Sequence, residues 1–483
     1  MQIVTCQDGV DVPGLIREFG IQPLFVYDAF QGFAAPLATN TLQQLRHDPR
    51  VRFVEADGPV TVCTNPPDFY PTQVGLWRMG FDHFPMSHIN GTNELLDVGV
   101  AVLDSGIDPH PDLPPMAGAY SAYSYTDYSD TLGHGTAVAG VIAALDNGWG
   151  TVGVAPGVRL YNVKCIGPAP YNYWSYITAG MNWCSQRATN IAVVNISITN
   201  EGDNAPFSTI NAYLNNMVRA GIVVVAAAGN GRNLVPMDMA GPDGVWNNGD
   251  DFYPASNYRV MAVSAMDPAT DTLATFSNFS NTSQPTGYRY NYTNVVSSPG
   301  GAIDVAAPGV GIETLWTDLN TPRNYGYATV EGTSFAAPHV AGLVALYIAA
   351  HGRASGATPD EREFSVYRIR QAIVDSAVPQ SQWHTNDTHC NGTNKEPLAV
   401  ATEAWVPPPR ITTAGKATGG YQVNFSTLPG YDYTVQTASA LAAPAPWTNL
   451  TTVAGGSNLA PATVTDTNPA PQTFYRLERK PSP

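Results

Sequence analysis

The sequence predicts an α/β fold, in which a mainly parallel central sheet carries helices on both faces. Between residues 72 and 405, short apolar runs recur with helix-like patterns between them. Strands that are apolar on both faces and joined by crossover helices are typical of parallel sheets covered on both sides. The predicted strands lie at 98–103, 160–163, 192–198, 222–228, 260–265 and 303–306.

The length and composition indicate several folded domains. The chain has 483 residues, of which 44% are hydrophobic and only 13% are charged, as in proteins with a substantial core. Its net charge of −16 argues against nucleic acids and anionic membrane surfaces as partners. No apolar run approaches the ~20 residues of a transmembrane helix, so we expect no membrane span.

The first 62 residues predict a small α+β domain. Strand-like and helix-like segments alternate along it, at 2–5, 12–19, 25–27, 39–46 and 51–55. A proline-rich segment at 63–71 follows and predicts an exposed linker, which is a favoured site of proteolytic cleavage.

Residues 406–483 predict a proline-rich linker and a small all-β domain of the β-sandwich kind. Consecutive prolines at 407–409 indicate a stiff linker. Short strand-like segments separated by turn residues follow, at 421–425, 431–436, 463–465 and 474–477. Matrix binding, export and simple stabilisation all fit such a domain.

Four polar residues stand where predicted elements begin or end. Asp104 and Asn230 each follow a predicted strand, whereas His134 and Ser334 each precede an apolar, helix-like run. Alone, Asp104, His134 and Asn230 are most simply turn or loop residues. Ser334 alone is most simply part of a small-residue helix packed in a core. Ligands of parallel sheets bind beyond the carboxyl ends of the strands, however, which is where Asp104 and Asn230 lie.

Taken together, four motifs in the order Asp, His, Asn, Ser resemble those of the subtilisin-like serine proteases, the subtilase family. They are VAVLDSG at 100–106, GHGT at 133–136, AAGN at 227–230 and GTSFAAPHVAG at 332–342. Subtilisin has its Asp, His and Ser in this chain order. The resemblance covers roughly residues 1–405 and implies a serine endopeptidase with its catalytic domain at 72–405.

The resemblance implies a catalytic role for each residue. Ser334 is the nucleophile, and His134 takes its proton and later returns it to the leaving amine. Asp104 holds the tautomer of the imidazole and stabilises its cation. The side-chain amide of Asn230 and the backbone N–H of Ser334 bind the oxyanion. Peptide bonds would thus be hydrolysed through an acyl-enzyme.

The resemblance also implies that residues 1–62 are an inhibitory propeptide, so that the protein is made as a zymogen. The segments at 3–5, 32–35 and 51–55 are similar to that domain, and prolines at 66 and 67 place the cleaved bond between 62 and 65. A permanent N-terminal domain is the alternative. We expect a secreted monomer, with protein or peptide substrates and its own propeptide as partners, although the first residues lack a signal-peptide pattern.

Residues 144–156 (ALDNGWGTVGVAP) resemble the strong calcium loop of the family. A hard cation of this kind takes about six to eight oxygen ligands. Carried over by position, the ligands are the side chains of Asp68, Asp112 and Asn147 and the carbonyls of Leu145, Trp149 and Thr151. An ordinary glycine turn is the alternative.

The resemblance assigns substrate contacts to two segments. An edge strand that would pair with the substrate backbone contains Pro170, Tyr171 and Asn172. Pro170 and Tyr171 depart from the small residues usual there. Trp174 and Ile177 match the pocket for the fourth residue before the scissile bond. Alternatively, these aromatic residues pack under the propeptide.

The opposite segment contains Ser197, Ile198 and Thr199, with Thr199 where the family usually has glycine. That difference narrows the first substrate pocket.

Five cysteines, an odd number without metal-type spacing, leave disulfide pairing open. Cys165 and Cys184 lie near a strand end and a helix end, where either a disulfide or two buried thiols would fit.

Two other classes of function fit the sequence less well. A catalytically silent binding scaffold would not need all four of the residues described above. An esterase of the α/β-hydrolase type would carry a Gly-x-Ser-x-Gly motif, which is absent around Ser334.

Overall fold

A computed structural model describes most of the chain. The described residues are 1–28, 31–58, 61–62, 73–81, 96–124, 126–147, 150–168, 172–200, 205–231, 235–241, 243–246, 248–280, 302–319, 324–383, 396–402, 405, 409, 411–428, 431–439, 447–454, 460–470 and 472–481.

The N-terminal unit is a four-stranded antiparallel sheet with two helices. Its strands are β1 (Gln2–Cys6), β2 (Phe25–Tyr27), β3 (Gly32–Ala35) and β4 (Val51–Ala56), in the order β2-β3-β1-β4. Its helices are α1 (Val12–Glu18) and α2 (Thr39–His47). The Asp11 side chain accepts the N–H of Gly14 and thereby caps α1. A separate two-residue strand, β5 (Thr61–Val62), follows.

The central domain contains an eight-stranded sheet, which confirms the predicted α/β class. The sheet consists of β6 (Leu96–Asp104), β7 (Gly118–Ser121), β8 (Val158–Lys164), β9 (Val193–Ile196), β11 (Val223–Ala227), β12 (Met261–Asp267), β13 (Thr272–Leu273) and β14 (Val305–Pro308). The order is β13-β12-β11-β9-β6-β8-β7, and β14 pairs with β12. Within this sheet only β13 is antiparallel to its neighbour.

The predicted strand at 192–198 is divided in the structure. Its first part is β9, and its end belongs to β10 (Ile198–Thr199), which pairs with β5 instead of the main sheet. Ser197 separates the two because its carbonyl and its hydroxyl both bond to Ser334. The continuous strand was therefore a wrong prediction.

Some helices join strands of the central sheet and others precede or follow it in the chain, and they pack against it. They are α3 (Val74–Arg78), α4 (His134–Ala143), α5 (Trp174–Ser185), α6 (Phe207–Arg219), α7 (Thr333–His351), α8 (Pro359–Ser376) and α9 (Gln380–Trp383). Among the described residues, α7 alone is long and apolar enough to cross a membrane, and 94% of its apolar window is buried inside the protein.

Two further β units complete the fold. An unpredicted hairpin of β15 (Ile312–Asp318) and β16 (Asn324–Val330) packs on α4. The C-terminal domain has one sheet of β17 (Ile411–Ala417), β18 (Gly420–Thr427) and β21 (Ala460–Asp466), and another of β19 (Tyr431–Ala438), β20 (Thr448–Ala454) and β22 (Phe474–Pro481). The predicted all-β domain is thus confirmed.

The cysteines of the described chain are thiols. Cys6, Cys165 and Cys184 are free and buried, and burial raises the pKa of each thiol. Of the two alternatives for Cys165 and Cys184, the structure therefore has two separate thiols. Cys63 and Cys390 lie outside the described residues.

Candidate active site

Asp104 and His134 form a buried pair at the carboxyl edge of the sheet. Asp104 is the last residue of β6 and His134 the first of α4. The distance from His134 Nδ1 to Asp104 Oδ1 is 2.7 Å, and the two side chains are 3% and 1% exposed. Since an ionised carboxylate only accepts hydrogen bonds, Nδ1 donates. Nε2 is buried and has no hydrogen-bond partner among the described residues, so it is available as a base.

Glycines in the left-handed region precede both helices that carry the candidate residues. Gly133, before His134, has φ of +78°, and Gly332, before Thr333, has φ of +142°. A side chain at either position would strain the backbone. The two glycines therefore let the loops turn directly into α4 and α7.

Ser334 lies in the first turn of α7 and is fully buried. Its hydroxyl donates to the Ser197 carbonyl at 2.9 Å, and the Ser197 hydroxyl donates to the Ser334 carbonyl at 2.8 Å. The ring of Phe335, the next residue, is 5.5 Å from the His134 ring between centroids. The residue after Ser334 thus packs near the imidazole, and the Ser334 hydroxyl is held by Ser197.

The Asn230 side chain is held with its amide nitrogen unpartnered. Its Oδ1 accepts the Thr333 backbone N–H at 2.9 Å and the Thr333 hydroxyl at 2.8 Å. The same hydroxyl accepts the N–H of Gly229 at 3.1 Å. Asn230 Nδ2 is buried and has no partner in the described part of the chain. Such a donor can bind an anion beside Ser334.

The N-terminal unit covers the segments predicted to bind substrate. In the antiparallel pairing of β5 with β10, Val62 faces Ile198 and Thr61 faces Thr199. The backbone N–H of Trp174 donates to the Gly58 carbonyl at 2.9 Å. Trp174 and Ile177 are completely buried in this arrangement.

The predicted edge strand at 170–172 lies only partly within the described residues. Pro170 and Tyr171 lie outside the described residues. Asn172 is not in a strand, and its Oδ1 accepts the Gly167 N–H at 2.8 Å and the Tyr123 hydroxyl at 3.2 Å. Its pairing with a substrate backbone stays a prediction.

Two carboxylates of the N-terminal unit bond to the first turns of catalytic-domain helices. Glu55 accepts the N–H groups of Ser208, at 2.9 Å, and of Thr209 at the start of α6. Asp57 accepts the Ser175 N–H at the start of α5, at 2.7 Å. Unpaired N–H groups and the helix dipole favour carboxylates there. Burial nevertheless raises the pKa of Asp57 from 3.8 to about 6.

Four of the six predicted calcium ligands belong to the described chain, and Asp112 is at the centre of them. Asp112 Oδ1 accepts from the Asn147 amide at 2.7 Å, and Oδ2 accepts from the Thr151 N–H at 3.1 Å. The Leu145 N–H donates to the Asp112 carbonyl at 3.0 Å. Burial raises the pKa of Asp112. Asp68 and Trp149 lie outside the described residues.

This oxygen-rich set fits a hard cation in its chemistry. The Thr151 hydroxyl is buried without a hydrogen-bond partner in the described chain, and the Asn147 amide can present its oxygen by rotation about its last torsion. No cluster of three His, Cys, Asp or Glu side chains occurs among the described residues. A cation here would therefore depend on carbonyl and amide oxygens as well as on Asp112.

Thr333 and Asp130 are functional candidates that the sequence predictions missed. An Asp ahead of a helix commonly accepts backbone N–H groups, and Asp130 had that signal. No sequence signal pointed to Thr333, because nothing in its own motif links it to Asn230.

Known proteins resemble both the central domain and the N-terminal unit. A model described as the subtilase family matches residues 97–403, and one described as peptidase inhibitor I9 matches residues 11–62. The chain is 32% identical to alkaline elastase YaB of Bacillus sp. (strain YaB) over 339 residues, 70% of this chain and 75% of that protein. It is also 32% identical to subtilisin E of Bacillus subtilis (strain 168) over 354 residues, 72% of this chain and 79% of that protein.

One solved structure has a related fold along almost the whole chain. It is that of fervidolysin from Fervidobacterium pennivorans, a keratinolytic enzyme related to subtilisin. The TM-score is 0.57 at 20% sequence identity, and the match covers 96% of this chain and 68% of that one. This likeness concerns the fold.

Proposed function

This chain belongs to the subtilase family and is a serine-type endopeptidase with an inhibitory propeptide domain, and from that premise we propose that Ser334, His134, Asp104 and Asn230 carry its reaction. The observation that carries the proposal is the position of Ser334 in the chain. Thr333 before it holds Asn230, and Phe335 after it packs on His134.

Reaction begins when the Ser334 hydroxyl leaves the Ser197 carbonyl and turns to the unpartnered Nε2 of His134. His134 takes the hydroxyl proton as the oxygen attacks the scissile carbonyl carbon. Asp104, which accepts from Nδ1, stabilises the imidazolium that forms. The imidazolium then protonates the leaving amine, and a water activated in the same way releases the acyl group.

The oxyanion of the tetrahedral intermediate is bound by two donors. One is Asn230 Nδ2, and the other is the Ser334 N–H in the first turn of α7, where amides have no intrahelical partner. Removing the first donor in Asn230→Ala is expected to lower kcat about 10²- to 10³-fold, the loss seen in subtilisin. KM is expected to change little, because the oxyanion exists only in the intermediate and its transition states.

The measurement is steady-state hydrolysis of a peptide anilide. The neighbouring variant Thr333→Ser keeps the hydroxyl that orients Asn230 and serves as the control. A wild-type kcat in Asn230→Ala would contradict the role of this amide.

We propose the domain boundaries 1–62 for the propeptide, 63–71 for the linker with its processing site, 72–405 for the catalytic domain and 406–483 for the C-terminal unit. The enzyme acts as a secreted monomer. The segments 170–172 and 197–199, with Trp174 and Ile177, bind the substrate once the propeptide has left them, since the propeptide bonds to Trp174 and pairs with Ile198 in the zymogen.

The test of this function is casein hydrolysis before and after limited trypsin digestion of the propeptide, whose first 62 residues contain four arginines. We expect little hydrolysis by the intact chain and strong hydrolysis afterwards, abolished by a fluorophosphonate. A folded, trimmed chain that neither cleaves casein nor reacts with the fluorophosphonate would refute it.

Asp57 makes propeptide binding depend on pH. Its pKa is 3.8 ordinarily and about 6 in the buried site, so the bound state favours the protonated form. Binding is therefore strongest below pH ~4 and weakens as the pH rises to about 6, by on the order of 100-fold. Above about pH 6, Asp57 causes no further change in the affinity of the propeptide.

The measurement is dissociation of the propeptide from a Ser334→Ala chain whose linker has been cut in trans by wild-type enzyme, across this pH range. Asp57→Asn has no charge to bury and should lose the dependence. An equal pH dependence in wild-type and Asp57→Asn propeptides would contradict the assignment.

We propose a structural calcium ion at Asp112, Leu145, Asn147 and Thr151, together with Asp68 and Trp149. Bound only to the native state, the ion stabilises the protein by about 2.7 kcal/mol at a free concentration 100-fold above its Kd. Excess EGTA is therefore expected to lower the Tm of the wild type. Asp112→Asn should be insensitive to EGTA, and an unchanged wild-type melting curve would exclude the ion.

A further inference from the structure

The loop before His134 contains a second buried carboxylate, that of Asp130, which the proposed mechanism does not use. Its Oδ1 accepts from the Ser105 hydroxyl at 2.7 Å, the Leu132 N–H at 3.0 Å and the Gly133 N–H at 2.9 Å. Its Oδ2 accepts from the Thr136 N–H at 2.8 Å and the Thr136 hydroxyl at 2.7 Å. An ionised carboxylate, which accepts through both oxygens and donates through neither, suits this set of five donors.

One of these donors belongs to the strand end that carries Asp104. Ser105 is the next residue, and its backbone N–H donates to Asp104 Oδ1 at 2.7 Å. Its hydroxyl donates to Asp130 and also accepts the Gly135 N–H at 3.0 Å. The carboxylate of Asp130 is thus hydrogen-bonded directly to Ser105, whose backbone N–H holds Asp104.

The other donors belong to the helix start that carries His134. Leu132 and Gly133 directly precede it, and Thr136 lies two residues after it in the first turn of α4. N–H groups in a first turn have no intrahelical acceptor, so Asp130 supplies the acceptor that they need. Asp130 therefore fixes both the position and the direction of this helix start.

The backbone around Asp130 is itself anchored by hydrogen bonds. Its backbone N–H donates to Asp108 Oδ1 at 2.9 Å, and the Asp108 N–H donates to the Thr136 hydroxyl at 3.0 Å. The buried Lys164 of β8 donates to the carbonyl of Ser129 at 2.7 Å. The carboxylate thus has a fixed place from which to orient its partners.

We propose that Asp130 is a positioning residue, whose carboxylate joins the strand end carrying Asp104 to the helix start carrying His134 and so sets the contact between them. The inference rests on the proposed function, since it assigns Asp130 an effect through His134. A displacement of about 1 Å in a reacting group costs on the order of 100-fold in rate, so this link controls turnover rather than substrate binding.

The first test is Asp130→Asn in the trimmed enzyme. The amide nitrogen that replaces one oxygen cannot accept and faces N–H or O–H donors, so the loop and helix start separate. We expect kcat to fall on the order of 100-fold while KM stays within about twofold of wild type. The downfield proton resonance of the Asp104–His134 hydrogen bond should shift or disappear.

The second test varies the helix-side donor. Thr136→Val removes one hydroxyl bond and is expected to lower kcat about tenfold, whereas Thr136→Ser retains the hydroxyl and should retain kcat and the proton resonance. If Asp130→Asn does not fold, this pair decides the question with the same two readouts.

The control is Asp304→Asn, which alters an equally buried carboxylate at the amino ends of β12 and β14. It should lower the Tm and leave kcat and the proton resonance unchanged. A folded Asp130→Asn enzyme with wild-type kcat, or one that differs from wild type only in Tm as Asp304→Asn does, would overturn the proposal. Failure of the wild type itself to cleave casein would instead refute the proposed function.

Discussion

Replacing Ser334 with alanine is expected to lower kcat about 10⁶-fold, the loss known for subtilisin without its serine. The oxygen that forms the acyl-enzyme is absent, and His134 has no proton to take. The fold should survive because the Ser334 hydroxyl makes one hydrogen bond within the described part of the chain, to the Ser197 carbonyl. The variant should also keep its propeptide uncleaved.

The measurement compares peptide hydrolysis by Ser334→Ala and by Ser185→Ala. Ser185 also has a helical hydroxyl, which is half-buried and donates within α5 to the Met181 carbonyl at 3.0 Å. Ser185→Ala should process itself and turn over like wild type. Self-processing and undiminished hydrolysis by Ser334→Ala would contradict its role as nucleophile.

Replacing Arg370 with methionine is expected to destabilise the protein by about 3–5 kcal/mol, because it leaves a buried carboxylate without its cation. Arg370 of α8 and Asp304 are both 0% exposed and lie 3.1 Å apart between Nη2 and Oδ2. The guanidinium also donates to the carbonyls of Tyr258, at 3.1 Å, and Val260, at 2.8 Å. All of these partners would lose their donor at once.

Calorimetry of the Ser334→Ala chain, which cannot digest itself, measures this effect as a Tm lower by about 5–10 °C. Arg368→Met, on the exposed side of the same helix, should change stability by less than about 0.5 kcal/mol. An equal Tm for both variants would contradict the importance of the buried pair.

The sequence predicted the parallel sheet well because its strands are apolar on both faces. Val223–Ala227, for example, is buried at every position, and such a run has few alternatives. The hairpin β15–β16 escaped prediction because Glu313, Thr314 and Thr317 interrupt its apolar pattern. The end of β9 before Ser197 also escaped prediction, because Ser197 contacts Ser334, which is more than a hundred residues away in the chain.

The candidate catalytic residues could be recognised from local motifs, whereas the residues that orient them could not. Asp104 and His134 each carry a distinctive sequence on both sides. Thr333 acts on Asn230, and Asp130 acts on the turn after Asp104, through hydrogen bonds between separate segments. Only the folded chain brings these partners together.

Mass spectrometry of the fluorophosphonate-treated, trimmed enzyme tests whether Ser334 is the nucleophile. We expect one adduct, on Ser334 within the segment 332–342, and loss of that adduct when His134 is replaced by alanine. An adduct on another residue, or unmodified Ser334 in an enzyme that still cleaves casein, would contradict it.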